Sequence, residues 1–127
     1  MRLLLDTHIL LWWFNDDPKL RPRLRQFIAE PGHDVLVSLA SLWEIAIKRQ
    51  LGKMEASAPE IAGRLAEQQF ELLPIGVDHL TVIEAMPRHH GDPFDHLLIA
   101  QAMIKQAAIV TIDVIIPRYG VPCIGVA

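Results

Sequence analysis

Short apolar runs alternate with longer stretches of helical spacing along this chain, and that alternation predicts an α/β fold on a mostly parallel sheet. Residues 2–5 predict a first strand. Residues 7–14 predict a helix, closed by the polar Asn15-Asp16-Asp17 and Pro18. A second helix is expected over 20–30, stopped by Pro31-Gly32, and a short strand over 35–37. Residues 41–51 predict a third helix with Gly52 just past its end. A further helix is expected over 59–69, then a strand over 71–73 and a short helix capped by Asp78 and running to Ala85. Asp92 and Pro93 have the cap and first-turn chemistry of a long helix ending near Gln106. Residues 109–111 and 122–126 predict the last two strands. The helix after Pro93 is apolar nearly all round, so it is expected to lie against the sheet and against a second subunit.

Composition narrows this picture. With 127 residues, 51% hydrophobic and 21% charged, the chain can bury a core without staples, and a single domain over 1–127 is expected. Twelve Lys+Arg against fifteen Asp+Glu leave −3, which excludes general coating of nucleic acid and leaves only local basic patches. Cys123 has no partner cysteine, in keeping with a reducing cytoplasm. No apolar run approaches a membrane span. Asp6 interrupts the N-terminal apolar segment too early for a leader peptide.

The candidate chemistry lies in four acids. Asp6 follows the first predicted strand and Asp113 follows 109–111. Glu44 and Asp95 fall in the first turns of their predicted helices. In a parallel α/β sheet all four positions lie at the carboxyl edge, where ligands bind. Each has a structural explanation when taken alone. Asp6 can cap a helix, Ser41-Leu42-Trp43-Glu44 matches a capping box, Asp95 suits a helix start, and Asp113 suits a turn. Together they are harder to explain that way. Two carboxylates about 4 Å apart repel by roughly 4 kcal/mol at an effective dielectric near 20, so a cluster takes up protons or a cation. All-oxygen donors suit Mg²⁺ or Mn²⁺, and phosphodiester hydrolysis by an activated water is the chemistry such a site supports.

The segments LLLDTHILLWW, SLASLWEIAIKRQLGKM, HGDPFDHLLIAQA and VTIDVIIPRYGV resemble the VapC-type toxins of the PIN-domain family, in order and over essentially the whole chain. The resemblance implies a three-layer PIN fold, a central parallel sheet flanked by helices. It also implies a Mg²⁺-dependent endoribonuclease that leaves 5′-phosphate and 3′-hydroxyl ends. Such a protein is often a homodimer and is neutralised by a cognate antitoxin. The family's acids fall on Asp6, Glu44, Asp95 and Asp113, as catalytic and metal-binding residues. Asp92 and Thr111 fall at accessory positions. The apolar Val114-Ile115-Ile116 after Asp113 departs from the family pattern.

Adjacent Trp12 and Trp13 cannot share one core contact, so one is expected to face a groove, and the resemblance points to the antitoxin there. His8 is expected to border the pocket. His89-His90 read as an exposed loop close enough to Asp92 and Asp95 to contact phosphate. Lys19, Arg21, Arg23 and Arg25 form one basic group and Lys48, Arg49 and Lys53 another, each either a solvated face or a track for RNA. Arg88 and Arg118 are candidates to steer phosphate. Single-stranded RNA is the expected substrate. Two other readings stand beside this one: a non-catalytic PIN-like module that binds RNA or protein, and a receiver-type phosphoacceptor domain. The second is weakened because Asp6 has no adjacent acid and Lys105 falls inside a predicted helix.

Overall fold

Leu3, Leu4 and Leu5 offer no polar position, and all three are fully buried, as a strand covered on both faces requires. They belong to β1 (Arg2–Leu5), the centre of a five-stranded parallel sheet in a computed structural model that describes residues 1–126. The chain continues through α1 (Thr7–Phe14), α2 (Pro22–Ala29), β2 (Asp34–Ser38), α3 (Leu39–Gln50), α4 (Ala58–Arg64) and β3 (Phe70–Leu73). It ends with α5 (Val77–Ala85), α6 (Pro93–Lys105), β4 (Ala108–Val110) and β5 (Cys123–Ile124). Single 3-10 turns lie at Ala66–Gln68 and Ile116–Tyr119. The sheet order is β3-β2-β1-β4-β5, and every pairing is parallel.

Alternation along the strands divides the core into two layers. Leu3, Leu5, Val35, Val37 and Val110 pack with α1 to α4, through residues such as Ile9, Ile28, Ile45 and Ile61. Leu4, Leu36 and Ile109 pack on the other face with Leu98, Ile99 and Ala102 of α6, and with Ile116 and Tyr119. This is the three-layer PIN-like α/β fold expected from the sequence. Strand order reverses between β1 and β4, so their carboxyl ends flank a topological switch point, the usual place for a ligand crevice in such sheets.

Several expected boundaries differ for local reasons. Helix α3 begins at Leu39, because Ser38 at the end of β2 supplies the cap: its Oγ accepts from Ala40 N at 2.9 Å. Ser41 and Glu44 therefore lie inside the helix, Glu44 in its second turn, and no Ser41–Glu44 capping box forms. Helix α2 starts at Pro22 and leaves Leu20 as a buried plug before it. Helix α5 is capped at Gly76, which puts Asp78 within its first turn. The helix expected over 59–69 breaks into α4 and the 3-10 turn, which ends at Gln69 in a left-handed conformation. Asp92 does cap α6, with Oδ1 accepting from Phe94 N and Asp95 N at 2.9 and 3.2 Å. Among the described residues no helix is long and apolar enough to cross a membrane.

Candidate active site

Asp6 emerges where β1 gives way to α1. Its Oδ1 caps the helix by accepting from Ile9 N at 2.9 Å, and its Oδ2 accepts from the hydroxyl of Thr111, one residue beyond β4. The same Thr111 oxygen accepts from Asp113 N at 3.0 Å, and Asp113 Oδ1 accepts from Ile115 N at 2.9 Å. Thr111 thus ties the ends of the two central strands together, and the turn role weighed for Asp113 is real.

Glu44 projects from α3 toward the same edge. Thr7 Oγ1 donates to Glu44 Oε1 at 2.7 Å and lies 3.0 Å from Ser41 Oγ, while Lys48 Nζ pairs with Glu44 Oε2 at 2.9 Å. Lys48, read from sequence as part of a solvated or RNA-facing group, is the counter-ion of this acid. Asp95, in the first turn of α6, meets His90 Nε2 at 2.9 Å through Oδ2.

Asp6, Glu44, Asp92, Asp95 and Asp113 all line one cavity of about 340 Å³, together with Thr7, His8, Trp12 and Ile112. Acids from five separate positions, spread from the first strand to beyond the fourth, therefore face a common space. Among the described residues, however, no three acidic, histidine or cysteine side chains converge closely enough to form a ready metal-ligand set. The internal partners above account for this: Thr111 and Ile9 N hold Asp6, Thr7 and Lys48 hold Glu44, and His90 holds Asp95.

Burial dominates the electrostatics of the cavity. Burial raises the proton affinity of Asp6 against its hydrogen bonds and the nearby His8, and Asp113 raises it further. Burial likewise pushes Asp95 up to about 6; His90 opposes that, while Asp92 and Asp6 add to it. Hard oxygen donors gathered around one space match the donor preference of a small divalent cation such as Mg²⁺ or Mn²⁺.

The histidines divide as the loop geometry dictates. His8 borders the cavity as expected. His90 lies in the loop before α6 as expected, but its ring is largely buried between Asp95 and Tyr119, a contact that no local spacing predicts. Arg88 and Arg118 do not line the cavity. Trp43, which nothing in the spacing singled out, is 51% exposed beside Glu44 and packs edge-on against Phe94, next to Asp95.

A larger groove of about 850 Å³ adjoins the acid cavity, and Trp12 and Ile112 line both. Leu24 and Phe27 give the groove its apolar wall, and Lys19, Arg21 and Arg23 its basic side. Arg25 turns away from it. Its guanidinium donates to the Trp12 carbonyl at 3.1 Å and sits 4.9 Å from the centre of the Trp13 ring. Trp13 packs on Phe70 and donates to Gln68 Oε1 at 3.1 Å, so of the two tryptophans only Trp12 faces the groove.

A protein-family model described as PIN domain matches residues 3–122. Among solved structures, VapBC2 from Rickettsia felis, bound to a DNA fragment from its promoter, aligns with a TM-score of 0.72 at 15% identity, covering 98% of each chain. VapBC-1 from nontypeable Haemophilus influenzae aligns at 0.65 and 17% identity, covering 98% of this chain and 97% of that one. FitAcB from Neisseria gonorrhoeae aligns at 0.62 and 17%, covering 97% and 96%. No curated protein matches the sequence significantly.

Proposed function

The chain belongs to the PIN-domain family, and from that premise we propose that it is a Mg²⁺-dependent endoribonuclease, the toxin of a toxin–antitoxin pair. The observation that carries this reading is the convergence of five carboxylates on one cavity at the switch point of the sheet. The likeness to VapBC and FitAB structures supports the pairing with an antitoxin. The reading takes the chain as one domain acting in the cytoplasm, as a homodimer that covers exposed α6 side chains such as Met103 and Ile104.

Asp6, Glu44, Asp95 and Asp113 are the residues that would hold the divalent cation, Mg²⁺ or in its place Mn²⁺. Asp92 and Thr111 support them, Asp92 by fixing the start of α6 and Thr111 by fixing Asp6 and Asp113. When bound, such a cation supplies positive charge against the phosphate and acidifies a nearby water. The remaining chemistry belongs to the chain. A water among the acids attacks phosphorus and gives up its proton to a carboxylate oxygen of the cavity that is free of the cation. The bond from phosphorus to the ribose 3′-oxygen breaks and that oxygen takes up a proton from solvent, leaving 5′-phosphate and 3′-hydroxyl ends. The open acidic edge suits a single strand whose backbone can be splayed across it. The antitoxin is proposed to lay apolar side chains in the groove lined by Trp12.

The test is cleavage of single-stranded RNA with Mg²⁺ or Mn²⁺ by the intact chain and by Asp6→Asn. Cleavage is expected only with metal. The variant should lose at least about a hundred-fold in rate while keeping the same circular dichroism. Activity that survives EDTA, or a fully active variant, removes this mechanism. No turnover with any metal leaves the non-catalytic binding module.

A further inference from the structure

His90 and Tyr119 form a hydrogen-bonded brace behind the acid cavity. Tyr119 is nearly buried on the 3-10 turn before β5. Its hydroxyl lies 3.0 Å from His89 N and 3.1 Å from His90 N, both of which donate to it. These two N–H groups occupy the lone pairs of the phenol oxygen. Two ring nitrogens also reach it: His96 Nε2 at 3.1 Å, which must carry a hydrogen because it also meets the His90 carbonyl, and His90 Nδ1 at 2.7 Å, which is left to accept the phenol's own hydrogen. His96 Nε2 points at the His90 carbonyl at 2.8 Å and donates there, which pins the same segment a third time.

The consequence is a defined tautomer. With Nδ1 accepting from Tyr119, the proton of the neutral His90 ring sits on Nε2, and Nε2–H donates to Asp95 Oδ2 at 2.9 Å. Asp95 lines the acid cavity, and among the described residues its Oδ1 has no hydrogen-bond partner. One carboxylate oxygen is therefore held from behind and the other is free.

We infer that His90 is a positioning residue: locked by Tyr119 as the Nε2–H tautomer, it fixes Asp95 Oδ2 and presents Oδ1 to whatever the cavity binds. For the bound cation this rests on the reading of the cavity as a divalent-cation site, where partners behind a ligand commonly change metal affinity by about ten- to a hundred-fold.

The experiment uses the full chain and two independent readouts. Long-range ¹H–¹⁵N spectra of the histidine rings report the tautomer, and calorimetry with Mn²⁺ reports cation affinity, alongside kcat and KM on RNA. The unaltered chain should show His90 protonated on Nε2, and Tyr119→Phe should show a mixture. His90→Leu should bind Mn²⁺ about ten-fold or more weakly and lose kcat with little change in the KM for RNA. His90→Gln, which keeps an amide N–H near the position of Nε2, should recover most of the affinity. A His90 ring protonated on Nδ1, a folded His90→Leu variant with unchanged Mn²⁺ affinity, or equal losses in the Leu and Gln variants would overturn the assignment. If the unaltered chain binds no Mn²⁺, the cation reading fails by itself, and the tautomer spectra still decide whether His90 holds Asp95.

Discussion

Asp95 carries a stability cost that depends on pH. Its folded-state proton affinity is raised from 3.8 to about 6, chiefly by burial. A raised acid favours the protonated fold, so the stability it contributes is intact below its unfolded value and falls as pH rises through about 6. The loss amounts to roughly 3 kcal/mol at most for a shift of about two units. Asp95→Asn lacks this cost. In urea unfolding with a chelator present, the variant should gain on the unaltered chain between about pH 4 and pH 6 and hold a constant lead above that. A gap that does not change with pH would show that burial does not govern this carboxyl. The positions of the acids were legible in the sequence, because strand ends and helix starts in a parallel sheet share one edge. The local roles of Asp6 as a cap and Asp113 in a turn were legible as well, but the contacts between distant elements were not. The Thr111–Asp6 contact spans 105 positions and the Tyr119–His90 contact 29, so both depend on how the elements pack and not on any local pattern.

At the scale of elements, strands with continuous apolar runs and helices with strong caps were read well, because their signals are local. The edges were read less well. The last strand is confined to Cys123–Ile124, and Gly125 takes φ +106 immediately after it. A Cβ at Gly125 would lie 2.6 Å from the Thr111 carbonyl oxygen and 3.2 Å from Leu24 Cδ2. Gly125→Ala should therefore cost about 1–3 kcal/mol in urea unfolding, from backbone strain and the displaced neighbour. Because Thr111 also anchors Asp6 and Asp113, the same substitution should weaken Mn²⁺ binding. An unchanged unfolding midpoint would show that β5 yields freely and that the anchor does not depend on it.

The whole molecule has a net charge of −3, yet Lys19, Arg21 and Arg23 gather beside the apolar groove and away from the acids. From sequence a solvated face was the favoured reading of these residues and an RNA track the alternative. The groove adds a third by placing Leu24 and Phe27 among the basic side chains, a mixture suited to a peptide with apolar and acidic groups. Reversing charge at two exposed positions, Arg21→Glu with Arg23→Glu, should weaken binding of the proposed antitoxin by about ten-fold or more while sparing the proposed RNA cleavage. Loss of cleavage with that binding intact would assign the patch to RNA.

The central place of β1 also bears on synthesis. Asp6 N donates to Val110 O at 3.1 Å and the Asp6 carboxylate receives Thr111, so beyond its local cap of Ile9 N the contact of Asp6 with Thr111 waits for 105 further positions of chain. A partly translated chain has β2 available for β1 but nothing on its other flank. Such a chain has no β4 edge against which to close the cavity, so its acids are not gathered around a common space until the segment through Thr111 has emerged and folded back.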